Sequence, residues 1–92
     1  MNDSAVVWVF SGEGGRFPSG VFTALDVAQE WIRMHKLSGV LTCYPLNHGV
    51  YDWAVSGGYF EPKKEHETSP EFIQGFSCAA QEHYHYEHGE VD

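Results

Sequence analysis

The chain has 92 residues, enough for one domain with one core, and at this length only about 60–65% of the unfolded surface can be buried. Thirteen acidic against five basic residues give a formal charge of -8, a field that repels phosphates and favours cationic partners, which excludes nucleic acid as an expected ligand. Aromatics make up 15% of the residues, so the core is expected to be aromatic-rich.

The N-terminal Met1-Asn2-Asp3-Ser4 carries no basic region, and the apolar run after it is too short for a signal-peptide core or a membrane span. A cytosolic location is the expectation, with no membrane partner. Cys43 and Cys78 form no CxxC pair, so neither a zinc ribbon nor a disulfide scaffold is indicated and both are read as reduced.

Ala5 to Phe10 (AVVWVF) is β-branched and aromatic on both faces and ends at Ser11-Gly12, the pattern of a central strand. After the loop Gly12-Glu13-Gly14-Gly15-Arg16, the stretch Phe17 to Phe22 reads as a short strand whose Pro18 suits its start or an edge. Glycines after a strand suggest a phosphate loop. Here the Lys-Ser/Thr ending is missing and another strand follows, so a glycine-permitted turn is the reading.

Ala24, Val27, Ala28, Trp31 and Ile32 fall on one helical face and predict a helix from about Ala24 to Lys36, with Thr23 and Asp26 imitating a capping box. Val40 to Tyr44 predicts the next strand. The turn Pro45 to Gly49 and the run Val50 to Val55 (VYDWAV) predict its hairpin partner. Tyr59-Phe60 reads as a further short strand, and the charged stretch Glu61 to Glu67 as an exposed loop. Ser69-Pro70 marks a helix start with Ser69 as cap and Pro70 in the first helical position, stopped at Gly75. Glu82 to Glu87 predicts a last strand before a tail from Gly89 to Asp92. The fold class expected is α+β: an antiparallel or mixed sheet of about five strands, one main amphipathic helix on one face and a short second helix. The helix stripe is expected to pack on Val6, Trp8 and Phe10, and on Tyr51, Trp53 and Val55.

The segments Val7-Trp8-Val9-Phe10-Ser11-Gly12-Glu13-Gly14-Gly15-Arg16-Phe17, Ser19-Gly20-Val21-Phe22 and Leu37-Ser38-Gly39-Val40-Leu41-Thr42 resemble a family of small uncharacterised bacterial proteins, as does the tail from Gly75-Phe76 to His83-Tyr84-His85. The resemblance runs from Val7 to about Gly89 and implies no activity or site residues. A strand ending in Gly-Val-Phe before an amphipathic helix also resembles small bacterial α+β proteins that include immunity and toxin-neutralising proteins.

Chemistry concentrates in Glu82-His83-Tyr84-His85-Tyr86-Glu87-His88, where three imidazoles, two phenols and two carboxylates occupy seven residues. In a strand, His83, His85 and Glu87 share one face, and Glu82, Tyr84, Tyr86 and His88 the other. Two readings follow. Tyr84, Tyr86, Glu82 and Glu87 form an acidic, tyrosine-bearing edge suited to a basic protein partner, with an immunity-type role as its most concrete form. Alternatively His83 and His85 ligate a divalent metal, with a third ligand from Glu87, His66 or His48. No other cofactor is implied. Catalysis lacks a constellation: Cys43, Cys78 and Ser11 are nucleophile types with no base placed beside them, which argues against an enzyme. An exposed final strand would also allow a symmetric homodimer.

Overall fold

The computed structural model describes residues 5–92; the Met1–Ser4 part of the N-terminal reading lies outside them. Backbone contacts divide the chain into two compact units, one made of the described residues up to 46 with 81–92 and the other of residues 47–80. The fold is α+β, with a five-stranded antiparallel sheet in the first unit.

The strands are β1 (Val6–Gly12), β2 (Gly20–Phe22), β3 (Gly39–Pro45), β4 (His83–Glu87) and β5 (Glu90–Val91), in the spatial order β2-β1-β3-β4-β5. β1 is interior, as its apolar run predicts. Trp8 pairs with Phe22 on one side and with Cys43 on the other, and Phe10 pairs with Leu41. Directly opposed residues share a face, so Trp8, Phe10, Phe22, Leu41, Cys43, Tyr84 and Tyr86 form the inner face. Val7, Val9, Ser11, Val21, Val40, Thr42, His83, His85 and Glu87 form the outer one.

Helix α1 (Leu25–His35) packs on the inner face. The core is Trp8, Phe10, Ala28, Ile32, Leu41 and Tyr86, with Leu25, Trp31 and Leu37 packed around it. Leu25, Ala28 and Ile32 point inward at helical spacing, whereas Val27, expected in that stripe, is 54% exposed. The expected capping box is not formed. Ala24 is the N-cap and offers no side-chain bond, and Asp26 instead accepts from the backbone N–H of Val27 at 2.9 Å. At the other end Lys36 takes a left-handed conformation, and the backbone N–H of Leu37 returns to the carbonyl of Ile32.

The expected strand Val50 to Val55 is instead helix α2 (Val50–Ser56), and β3 takes β4 as its second neighbour. Val50, Tyr51, Ala54 and Val55 are also i, i+1, i+4 and i+5, so a run this short satisfies both periods. Gly49 starts the helix in an extended conformation, and Asp52 sits in the first turn where the macrodipole favours a carboxylate. Tyr51 and Trp53 therefore do not receive the α1 stripe. Tyr51 instead meets Phe60, Phe72 and Phe76 at ring-centroid distances of 6.0, 6.3 and 5.4 Å, and Trp53 stacks on Tyr59 at 4.9 Å. This aromatic cluster is the packing centre of the second unit, where Ala54 is fully buried. Tyr59 and Phe60 form no strand. Within the expected loop, Glu65–Thr68 closes a 3-10 turn in which the Glu67 carboxylate accepts from the backbone N–H groups of Lys63 and Lys64. Those two donors hold its pKa below the ordinary value. Helix α3 (Pro70–Gln74) begins as predicted: Ser69 Oγ accepts from Phe72 N–H at 3.2 Å and Pro70 opens the first turn.

Candidate functional site

β4 holds the residues singled out in the sequence, and it is an interior strand: β3 lies on one side and β5, formed from the expected tail, on the other. The β4–β5 turn is His88-Gly89, both at positive φ (52° and 87°). That is the conformation of a two-residue hairpin whose twist matches its strands. The signal, a Gly after a polar residue between two short extended runs, was present in the sequence. A Cβ on Gly89 would lie 3.1 Å from Lys36 Cα, so glycine is needed where this turn rests on the end of α1. The Gly89 N–H donates to the Leu37 carbonyl, and the His88 N–H to Ser38 Oγ.

Alternation along β4 sorts the candidate residues. Tyr86 faces inward and is 7% exposed, and its hydroxyl accepts from Gln29 Nε2 at 3.1 Å. Tyr84, half-buried, packs its ring on Trp8 and donates its hydroxyl to the Glu82 carboxylate; that bond, before all else, raises the Tyr84 pKa. The tyrosines therefore serve the core, Tyr86 wholly and Tyr84 in part. The exposed side of β4 belongs to His83, His85 and Glu87, with the two imidazole centroids 5.5 Å apart.

A shallow groove of about 340 Å³ runs beside this outer face, lined by Ser11, Glu13, Val40, His85, Glu87 and Asp92 among others. Next to it Glu87 pairs directly with Glu90 across β4 and β5, both exposed, and neither is held in an ion pair among the described residues. Like charges opposed in this way destabilise a ladder. A Glu90→Lys variant should therefore raise Tm by roughly 4 °C at low salt, and the gain should shrink at high salt. Thermal melts in the two buffers check this; an unchanged or lower Tm in dilute buffer counts against the repulsion.

Among the described residues, neither Cys43 nor Ser11 is set beside a base that would activate it. Cys43 lies half-buried on the inner face, where burial first and the Glu82 charge second raise its thiol pKa and keep it protonated. Ser11 and His85 lie two strands apart with Val40 between them, about 10 Å backbone to backbone by strand spacing, and no hydrogen bond joins them. Cys43 and Cys78 are not joined in a disulfide. Among the described residues no three or more His, Cys, Asp or Glu side chains are grouped so as to hold a metal, so neither Glu87, His66 nor His48 completes the His83–His85 pair. No described helix is long and apolar enough to cross a membrane.

Residues 7–92 match the family model described as Domain of unknown function (DUF7710). The chain belongs to that family. The match takes in the whole sheet except Val6, together with α1 and all of the second unit. No curated protein and no solved structure matches the chain. The groove, the acidic pair and the histidines all lie within the matched residues.

Proposed function

We propose that this is a small acidic, non-enzymatic domain of the bacterial cytosol that binds a basic protein, with inhibition or neutralisation of a cationic toxin as its most concrete form. The observation that carries the reading is the opposed Glu87–Glu90 pair. A fold tolerates a local conflict of this kind where something outside the free domain relieves it, and a lysine or arginine of a partner would do so. Glu13 and Asp92 in the adjoining groove, and the net charge of -8, extend the same field. Such a field steers a cationic protein and raises its on-rate. Half-buried Val9, Val40 and Thr42 beside exposed Val21 give the outer face apolar area for contact.

A photo-crosslinking residue in place of Val40 would capture the partner, which would then be purified and titrated against wild type and Glu90→Lys. The expected result is a loss of about tenfold or more in affinity for the variant, mainly through slower association at low salt, together with its raised Tm. An affinity indifferent both to Glu90→Lys and to salt between roughly 50 and 500 mM would sink the proposal.

A further inference from the structure

We propose that His83 and His85 form a two-imidazole surface site for zinc. The proposal is independent of the protein-binding reading and rests on three features of the first unit. The first is spacing. A zinc–nitrogen bond of about 2.0–2.1 Å plus a ring radius of about 1.1 Å puts an imidazole centroid about 3.2 Å from the ion, so two ligands at the tetrahedral angle have centroids about 5.2 Å apart. His83 and His85 stand at 5.5 Å with their ring planes at 80°, a spacing that matches this arrangement.

The second feature is tautomer. His83 Nδ1 lies 2.7 Å from the Gln81 carbonyl oxygen, and a carbonyl can only accept, so Nδ1 carries a proton and the neutral ring presents its lone pair at Nε2. A ligand histidine fixed through its other nitrogen is the support that metal-binding imidazoles use. The third is rigidity behind that support. Gln81 is 5% exposed, and its Nε2 donates to the Cys43 carbonyl at 3.1 Å, while Cys43 N–H donates to the Glu82 carbonyl at 2.9 Å. The carbonyl that orients His83 is thereby tied to the interior strand β3, and both imidazoles remain exposed.

Two protein ligands leave two tetrahedral positions for water or for side chains of a bound molecule, so the ion would exchange freely and hold no part of the fold together. Calorimetric titration of the full chain with zinc chloride alone, in a non-chelating buffer, should saturate at one ion per chain. His83→Ala and His85→Ala should each lose about tenfold or more in affinity, while His35→Ala should not. In NMR spectra the ring resonances of His83 and His85 should shift with zinc ahead of those of His35, His48, His66 and His88. Both histidines are exposed, so unchanged melting curves would show that the variants fold. Zinc binding equal in wild type and in the doubly substituted chain, or ring shifts led by another histidine, overturns the proposal.

Discussion

Phe10→Ala should lower the Tm of the first unit by about 12 °C or more, from a loss of about 3–5 kcal/mol. The ring is 1% exposed and sits in the middle of the inner sheet face, opposite Leu41 on β3, with the Trp31 ring of α1 near-perpendicular to it at a centroid distance of 5.8 Å. Its removal opens a cavity bounded by strand on either side and by helix above, where little can move in to fill it. Against a total stability of about 5–15 kcal/mol for a domain, a loss of this size takes a large share. Chemical denaturation followed by tryptophan fluorescence reads the change, since Trp8 and Trp31 report on the same core. A cost below about 1 kcal/mol would show that Phe10 is not held in a packed interior.

Gly39→Ala should be nearly as damaging, at roughly 3 kcal/mol, and for the opposite reason. A Cβ at Gly39 would lie 2.3 Å from the Ser11 carbonyl oxygen and 2.8 Å from both Gly12 Cα and the Phe10 ring. Two of those three neighbours are backbone, so β1 and β3 would have to separate at the Gly12–Gly39 end of their ladder. Hydrogen exchange should show the effect locally, because the Glu13 N–H that donates to the Ser38 carbonyl lies at that end. Gly14→Ala is the control. Its φ of +80° carries a conformational cost of about 1–2 kcal/mol, but a Cβ there meets nothing within 4 Å. If the two variants melted together, close approach would not be what requires glycine at position 39.

The fold class and most of the first unit were legible because their signals are local. AVVWVF has no helical period, the α1 run has one, and Ser69-Pro70 states a cap and a first turn within two residues. What was not legible depends on partners distant in the chain. VYDWAV fits a strand or a helix equally, and what decides is an aromatic cluster with Phe60, Phe72 and Phe76 that no local pattern announces. The two residues of β5 make no periodic signal, so pattern alone leaves the strand bearing the histidines at an edge. The alternation within it was right: His83 and His85 do share the exposed face. Burial inverted the weight given to each side, since a Tyr on an interior strand is as well suited to a core as to an interface. The Glu87–Glu90 opposition needed the register, which only the folded hairpin supplies.

That β4 follows β3 only after the whole second unit has a consequence during synthesis. β3 obtains its second neighbour only when the segment from His83 to Glu87 has been translated, roughly 2–8 s after Pro45 at ordinary ribosome speeds. Throughout that interval the nascent polypeptide presents an open row of backbone donors and acceptors along β3, with Leu41 uncapped by Tyr84. The hazard for this protein is therefore one of timing, and a chaperone or slow codons between those two points would bear on its yield more than on its final stability.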